Sequence, residues 1–283
     1  NQRQTDQEYM RLALALARRG LGRVWPNPAV GCVIVRDGNI VGRGWTQPGG
    51  RPHAETEALR AAGSLSKDAT AYVTLEPCSH HGRTPPCTDA LIAASVVRVV
   101  TAVEDPDERV AGKGHAQLRQ AGILVENGVC EAAARRLNEG YFLNRQERRP
   151  LVTLKIASTL DGRIALHNGQ SQWITGPAAR ARGHMLRATH DAILVGSRTA
   201  LADDPSLTCR LEGLEARSPV RVVLDTNLRL PVDSQLACSA RQWPVWVMTG
   251  EKSDGLRSDA LAALGAEVLR VAPGDGNRPD IRA

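Results

Sequence analysis

One histidine and two cysteines are spaced so that three separate segments of the chain have to meet. His53-Ala54-Glu55 opens a helical pattern that runs to Ala62, Glu76-Pro77-Cys78 follows a short apolar run, and Cys87 comes nine positions after Cys78. One imidazole and two thiolates are the three protein ligands of a catalytic zinc, whose fourth position is left for water. We therefore expect an α/β unit in which a helix start and a strand end hold one zinc ion through His53, Cys78 and Cys87.

Glu55 is the predicted proton carrier of this site. It follows His53 by two positions, which on a helix is roughly 200° around the axis, so it can approach the bound water without being a ligand. In zinc deaminases a glutamate in this H-x-E arrangement moves protons to the departing amine. The alternative is that His53 caps the helix and the cysteines are buried thiols. His80 and His81 lie between the cysteines as rival ligands, less favoured because three ligands are already present.

The composition excludes several classes of protein. Hydrophobic residues make up 42% and charged residues 23% of the chain, and no run approaches the roughly 18 apolar residues that a membrane span needs. The polar start, Asn1 to Tyr9, is unlike a signal or transit peptide, so we expect a cytoplasmic protein. The net charge of +6 is scattered, which argues against a nucleic-acid partner. Four further cysteines are expected to be buried thiols: Cys32, Cys130, Cys209 and Cys238.

The first half predicts strands that alternate with helices. A helix is expected over residues 5 to 19, capped by Thr5 or Asp6, and then a hairpin around Asp37-Gly38 with strands 30–35 and 39–44. Such alternation favours an α/β sandwich with a partly parallel sheet. The later expected strands are 71–75, 96–103 and 123–125, and the expected helices are 53–62, 88–94, 115–120 and 131–142.

A charged stretch from Asn144 to Pro150 interrupts this pattern, and a new strand is predicted over residues 151–157. We place the domain boundary there, which gives domains 1–147 and 148–283. The second half repeats the α/β pattern, with a helix starting at Pro177. Strands are expected over 191–195, 220–224 and 245–248, a helix over 258–264, and a loop in the tail that begins at Pro273.

The segment Thr74 to Cys87, TLEPCSHHGRTPPC, resembles the bacterial bifunctional riboflavin-biosynthesis deaminase/reductase family. The resemblance extends to the WPNPAVG segment 25–31 and, in the second half, to LKIASTLDGR at 154–163, SQWITG at 171–176 and VGSRTALADDP at 195–205. Several motifs in the same order are far harder to obtain by chance than one. The resemblance implies a cytidine-deaminase-like three-layer α/β/α domain followed by a dihydrofolate-reductase-like α/β domain.

The same resemblance implies two activities. Zinc-dependent hydrolytic deamination of a diaminopyrimidinone ribosylamine phosphate is followed by NADPH-dependent reduction of the ribosyl to the ribityl side chain. The family continues beyond Ala283 into a segment that closes the cofactor site, so the C-terminal part of the reductase domain is expected to be missing from this sequence. No G-x-G-x-x-G follows a strand, so a Rossmann site for the dinucleotide is not expected.

Individual positions take their expected roles from this resemblance. NADP is expected near Ala157, Trp173, Thr199 and Asp203. The ribosyl phosphate substrate of the reductase is expected near Ser171, Arg187, Leu207 and Arg210, and that of the deaminase near Asn27, His80 and Arg83. Paired arginines suit a phosphate through forked donors, although each could equally be a surface charge.

Two alternatives stay open at this point. The first is a zinc deaminase of another nucleotide or of a nucleic-acid base, with an inactive or purely binding second domain. Deaminases of bases typically have P-C-x-x-C, whereas eight residues separate Cys78 from Cys87, and the chain has one Phe for stacking bases. The second is a regulatory module with a dead zinc site, against which Glu55 argues. The expected partner is a small molecule, and a homo-oligomer is left open.

Overall fold

The computed structural model describes residues 2–82 and 85–272, so that Arg83 and the predicted tail loop lie outside the described residues. The chain divides into two compact units, one ending at Thr153 and the other beginning at Leu154. Each unit has its own sheet and its own apolar core. No helix within the described ranges is long and apolar enough to cross a membrane.

The first unit is built on a five-stranded sheet in the order β2-β1-β3-β4-β5. The hairpin strands and β3 pair antiparallel, whereas β3, β4 and β5 run parallel. The strands are β1 (Gly31–Arg36), β2 (Asn39–Trp45), β3 (Thr70–Val73), β4 (Arg98–Thr101) and β5 (Leu124–Asn127). The helices are α1 (Gln2–Ala17), α2 (Ala54–Ala62), α3 (Cys87–Ala93), α4 (Lys113–Gln120), α5 (Glu131–Leu137) and α6 (Glu139–Glu147).

Two glycines show that helices cover both faces of this sheet. Gly31 lies so close to α1 that a Cβ there would overlap the Ala13 carbonyl oxygen, and a Cβ on Gly44 would overlap the Ala54 carbonyl oxygen of α2. Gly44 pairs with Cys32, the neighbour of Gly31, and successive residues of a strand face opposite sides. The two helices therefore lie on opposite faces, and the first unit has three layers, α/β/α.

The start of α1 differs from the prediction. The helix begins at Gln2, and Asp6 is buried within it instead of capping it. Its carboxylate accepts hydrogen bonds from both Arg98 guanidinium nitrogens, at 2.8 and 2.7 Å, and from the Tyr72 hydroxyl. Because a buried acid needs such partners, this ion pair explains an aspartate in the helix and ties α1 to the sheet.

The single helix predicted over residues 131–142 is two helices, which meet at Asn138. The second of them, α6, continues to Glu147, so part of the charged stretch expected to be a linker is helical. Asn138 is buried, and its side chain bonds to the backbone of Ala29. That long-range contact is a feature that local sequence patterns do not reveal.

The second unit has a four-stranded sheet in the order β6-β7-β8-β9, with every pair parallel. Its strands are β6 (Ala192–Gly196), β7 (Val220–Leu224), β8 (Val245–Gly250) and β9 (Glu267–Val271). Its helices are α7 (Pro177–Thr189), α8 (Ser197–Asp203), α9 (Gln235–Cys238) and α10 (Gly255–Ala263). The sequence patterns did not predict α8, α9 or β9.

The strand predicted over residues 151–157 is wrong. This segment has no regular secondary structure, and no other strand in the described ranges pairs with it. Its alternating apolar side chains, Val152, Leu154 and Ile156, are 79%, 80% and 64% exposed. Alternating apolar and polar side chains would give a strand one apolar face, but a strand forms only where its backbone can make hydrogen bonds to a neighbouring strand.

Candidate active sites

The first unit brings the three predicted zinc ligands together. The Nδ1 atom of His53 and the Sγ atoms of Cys78 and Cys87 all lie within 4.8 Å of one another. The His53 Nδ1 atom is 3.3 Å from the Cys87 sulfur and 3.6 Å from the Cys78 sulfur. One imidazole nitrogen and two sulfurs converging on one point form a donor set that fits zinc.

Three chain elements deliver these ligands. His53 precedes α2 in an extended conformation, Cys78 follows β3, and Cys87 is the first residue of α3. The cysteine segments are joined directly, because the Cys87 backbone N–H donates to the Cys78 sulfur over 3.3 Å. Thr88 N–H also donates to the Cys78 carbonyl oxygen. The ligands are therefore held by backbone contacts as well as by their own side chains.

Glu55 lies beside this cluster without belonging to it. The predicted geometry, in which His53 and Glu55 share a helix, is wrong in one respect, since His53 has φ −72° and ψ 161° and stands just before the helix. Glu55 is the second residue of α2 and is 4% exposed. The cluster of possible metal ligands formed by His53, Cys78 and Cys87 does not include the Glu55 carboxylate. The carboxylate is thus placed near the candidate ligand atoms but outside the donor set.

The protonation equilibria of the cluster suit proton transfer and metal binding. Burial raises the pKa of the Glu55 carboxyl, so that it holds a proton more readily than an exposed glutamate. A hydrogen bond from the Cys87 thiol lowers the pKa of Cys78 to about 4, so Cys78 is a thiolate at neutral pH. The same hydrogen bond raises the pKa of Cys87, and a hydrogen bond with Cys78 raises that of His53. Metal binding releases the protons that such ligands hold.

Two of the three predicted substrate contacts of this unit are within the described residues. The Asn27 Nδ2 atom donates to the Gly50 carbonyl oxygen over 2.8 Å, which fixes the chain three residues before His53. The His80 Nδ1 atom is buried, and it has no hydrogen-bond partner in the described part of the chain. A buried imidazole nitrogen of this kind is suited to a polar group of a ligand.

Sequence reasoning missed Arg51 at this site. Its Nη2 atom lies 3.4 Å from the point where a Cβ on Gly82 would stand, so its head group adjoins the loop between the two cysteines. The hydrogen bond with Cys78 raises the pKa of His53, and the positive charge of Arg51 opposes this effect without cancelling it. The signal available in the sequence was its position two residues before His53.

In the second unit, Arg187, Leu207 and Arg210 are close to one another. The Arg187 Nη1 atom of α7 donates to the Thr208 carbonyl oxygen over 2.8 Å, and the Arg210 Nη1 atom donates to the Ser206 hydroxyl over 2.6 Å. Leu207, which lies between Ser206 and Thr208 in the sequence, is buried. Sequence reasoning missed His184, whose Nδ1 atom accepts the Arg210 backbone N–H over 3.2 Å. Helical spacing was the available signal, because His184 is one turn before Arg187.

The predicted cofactor residues fall into two groups. Thr199 and Asp203 are exposed residues of α8, one turn apart, so both project from one side of the helix that follows β6. Ala157 lies in the segment 151–176, which has neither strand nor helix. The same segment contains Ser171, which is predicted to contact the substrate. Trp173 is in the same segment, is 70% exposed, and has the Arg180 guanidinium 4.5 Å above its ring centre.

The family described as the cytidine and deoxycytidylate deaminase zinc-binding region matches residues 3–103. The family described as the RibD C-terminal domain matches residues 150–275. The first match contains all three predicted zinc ligands. The second begins between the last helix of the first unit and the segment in which the second unit starts.

Similar proteins and structures cover most of the chain. The riboflavin biosynthesis protein RibD of Escherichia coli is 48% identical over 267 residues, 86% of this chain and 73% of that protein. Its counterpart in Aquifex aeolicus is 46% identical over 94% of this chain and 74% of that protein. The structure of Acinetobacter baumannii RibD has a TM-score of 0.85 at 44% identity, covering 96% of this chain and 75% of the other.

A solved deaminase/reductase from Thermotoga maritima, named for diaminohydroxyphosphoribosylaminopyrimidine, has a TM-score of 0.83 at 37% identity. It covers 96% of this chain and 82% of the other. The predicted fold class is therefore confirmed: a cytidine-deaminase-like α/β/α domain is followed by a dihydrofolate-reductase-like α/β domain.

Proposed function

The chain belongs to the family of the riboflavin biosynthesis protein RibD, and from that membership we propose how its two units divide a deamination and a reduction. The first unit removes an amino group from a diaminopyrimidinone ribosylamine phosphate by hydrolysis. The second unit reduces the ribosyl group of the product to a ribityl group with NADPH. The observation that carries the proposal is the convergence of His53, Cys78 and Cys87 beside the buried Glu55.

His53, Cys78 and Cys87 are the residues that would hold one zinc ion. Their donor atoms, one nitrogen and two sulfurs, are the kind that zinc prefers, and a set of three leaves a position for water. Zinc, when bound, supplies the Lewis acidity that activates water at neutral pH. The thiolate character of Cys78 and the backbone bond from Cys87 to its sulfur both favour a preformed site.

Glu55 carries the proton through the reaction. Its carboxylate takes a proton from the attacking water and passes it to the departing amino group, so that the amine leaves as ammonia and the ring keeps the oxygen. A carboxyl whose pKa is raised by burial is suited to both halves of this transfer, because it gains and loses a proton nearer neutral pH. Burial also keeps bulk water away from the transferred proton.

His80 and Asn27 are the proposed contacts to the pyrimidine. The buried His80 Nδ1 atom offers a hydrogen-bonding group that the described part of the protein does not use. Asn27 uses one N–H to hold Gly50, and an amide has in addition a second N–H and a carbonyl oxygen. Arg83, proposed for the phosphate, is three residues after His80 in the sequence and lies outside the described residues.

In the second unit, Arg187 and Arg210 are proposed to bind the phosphate of the substrate, with Ser171 and Leu207 beside it. Arg187 is half-buried and Arg210 is exposed, and both contact the short segment 206–210. Two guanidinium groups beside the same segment match the several oxygens of a phosphate.

Ala157, Trp173, Thr199 and Asp203 are the residues that would hold NADPH. Thr199 and Asp203 project from the helix after β6, at the carboxyl end of a parallel strand, where ligands of α/β sheets commonly bind. The exposed Trp173 ring offers a flat apolar surface to a ring of the cofactor. NADPH, when bound, supplies the hydride for the reduction.

The two units are proposed to act independently, with a boundary between residue 147, where α6 ends, and Leu154. All zinc ligands and Glu55 precede this boundary. A fragment of residues 1–147 is expected to bind zinc and deaminate the substrate, and a fragment that ends at Thr153 is the matched control. If both zinc-loaded fragments bind the substrate without deaminating it, the second unit contributes to the first site.

The test of the whole proposal is an identification of products. The purified protein is offered the diaminopyrimidinone ribosylamine phosphate with and without NADPH, and both products are identified by mass. Deamination is expected without NADPH and is expected to stop when zinc is chelated. Absence of deamination by the zinc-loaded protein would contradict the proposal for the first unit.

A further inference from the structure

The side chain of Glu76 lies within the first unit and is completely buried. Its Oε2 atom accepts the backbone N–H groups of Asp105, at 3.3 Å, and Gly112, at 2.9 Å. Its Oε1 atom accepts the backbone N–H of His115 over 3.1 Å. A carboxylate with three backbone donors is an anchor, because its lone pairs are committed to the chain around it.

Two donors, Asp105 and Gly112, belong to the loop that leads from β4 into α4, and the third, His115, belongs to the first turn of α4. Strands β3 and β4 are parallel neighbours, so the loops that follow them leave the sheet at the same edge. One of these loops carries Glu76 and the zinc ligand Cys78, and the other carries Asp105 and Gly112 and continues into α4 with His115. Glu76 therefore joins the ligand loop to its neighbour across that edge.

Backbone contacts tighten the same junction. The Glu76 N–H donates to the Val103 carbonyl oxygen over 2.9 Å. The first turn of α4 lies against Pro77, where a Cβ on Gly114 would overlap the Pro77 carbonyl oxygen. Pro77 is thus held between the anchored Glu76 and α4, immediately before Cys78.

We propose that Glu76 is a positioning residue for zinc coordination: its buried carboxylate, bonded to Asp105, Gly112 and His115, fixes the position from which Cys78 presents its sulfur. This inference rests on the proposed zinc site. Glu76 acts through Cys78 and touches neither the metal nor the substrate. Outer partners of metal ligands set ligand orientation, and their loss typically costs about 10- to 100-fold in metal affinity or activity.

A second metal site that includes Glu76 is less consistent with the hydrogen bonds of its carboxylate. Glu76, Glu104 and His115 also have possible ligand atoms within 4.8 Å of one another. The Glu76 oxygens are already engaged by the three N–H groups, and the His115 Nε2 atom is 2.9 Å from the Thr101 hydroxyl. The geometry therefore favours an anchor and not a second metal site.

The experiment compares E76Q with the unaltered protein after loading with cobalt in place of zinc. Glutamine has nearly the same shape, but one carboxylate oxygen becomes an NH2 group that faces backbone donors. The visible bands of cobalt respond to its ligand geometry. In E76Q we expect these bands to shift and zinc to be released to a competing chelator about 10- to 100-fold faster.

D6N is the matched control, because Asp6 is also a buried acid with several hydrogen bonds, but it lies on α1, which covers the face of the sheet opposite α2, the helix that follows His53. We expect D6N to lower thermal stability without changing the cobalt bands or the zinc release rate of the folded protein. If Glu76 only stabilised the fold, E76Q would lower thermal stability without changing the cobalt bands or the zinc release rate, as expected for D6N. Equal spectra and release rates in E76Q and D6N would therefore overturn the inference.

G114A provides a second test that does not depend on E76Q folding. The added methyl group would overlap the Pro77 carbonyl oxygen and stand 3.1 Å from Glu76 Oε1, so it displaces Pro77 and the anchored carboxylate from the α4 side without changing the chemistry of Glu76. We expect the cobalt bands to shift in the same experiment, and unshifted bands in the folded variant would count against the inference. If the unaltered protein itself fails to bind one metal ion at this site, the proposed zinc site fails instead.

Discussion

Asn138 holds both backbone hydrogen-bonding groups of Ala29, although 109 residues separate the two. The Ala29 N–H donates to Asn138 Oδ1 and the Asn138 Nδ2 atom donates to the Ala29 carbonyl oxygen, each over 2.9 Å. Ala29 is two residues after Asn27, which in turn binds Gly50 near His53. The junction of α5 and α6 therefore fixes the segment that carries Asn27, a proposed contact to the substrate.

Replacing Asn138 by alanine should loosen the segment that carries Asn27. Each buried bond contributes about 0.5 to 1.5 kcal/mol, so N138A is expected to lower the free energy of unfolding by about 1 to 3 kcal/mol. The KM of deamination should rise more than kcat falls, because Asn27 is proposed to contact the substrate. The exposed Asn39 of the hairpin gives a control, since N39A loses only an exposed hydrogen bond to the Asp37 carbonyl oxygen and should leave the KM unchanged. An unchanged KM in N138A would show that Ala29 and Asn27 move independently.

Asp105 should make stability depend on pH. Burial raises its pKa from 3.8 to about 6, although the Tyr141 hydroxyl and the Asp107 N–H donate to it. The folded state thus binds the proton more tightly than the unfolded state, so this group favours folding less as pH rises from about 4 to about 6. Relative to D105N, the free energy of unfolding of the unaltered protein should fall by on the order of 3 kcal/mol across that pH interval and change little at higher pH. Urea unfolding of both proteins at several pH values measures this difference, and a constant difference would disprove it.

Replacing either cysteine ligand should remove the metal. A serine hydroxyl is a far poorer zinc ligand than a thiolate, so C78S and C87S should be purified with little zinc and without deaminase activity. Metal analysis of the purified variants checks this. Cys32 is the matched control, because it is a buried thiol of β1 outside the donor set, and C32S should keep its zinc. Full zinc occupancy in C78S or C87S would remove that residue from the proposed ligands.

Loss of either proposed phosphate-binding arginine should affect the second unit alone. A charge-assisted contact contributes about 1.5 to 3 kcal/mol, so R187A and R210A should bind the reductase substrate about tenfold or more weakly. Deamination should be unchanged. R182A is the control, because Arg182 is an exposed residue of the same helix as Arg187. Equal affinities in all three variants would identify Arg187 and Arg210 as surface charges.

The sequence predicted those features of the site that depend on residue type and local order. The spacing of His53, Cys78 and Cys87 indicated the donor set, and the Asp37-Gly38 pair indicated the hairpin between β1 and β2. These features rest on short-range chemistry, namely ligand identity and turn geometry. For that reason a single sequence reveals them.

Features that depend on long-range contacts were not predictable in this way. The bonds of Asn138 to Ala29 and of Glu76 to the loop after β4 join residues that are far apart in the chain. Asp6 was expected to cap a helix because aspartate commonly does so, yet its partner Arg98 lies 92 residues away. The segment 151–157 has an apolar alternation but no neighbouring strand in the described ranges, and the alternation alone could not reveal that lack.

The most direct test of the central claim is one measurement on E55Q, in which zinc content and deamination rate are determined on the same purified sample. Glu55 lies beside the donor set but outside it, so E55Q should retain one zinc ion per chain. Its rate should fall about 10²- to 10⁴-fold, because the proton carrier is lost. Zinc loss from E55Q, or a rate close to that of the unaltered protein, would contradict the account.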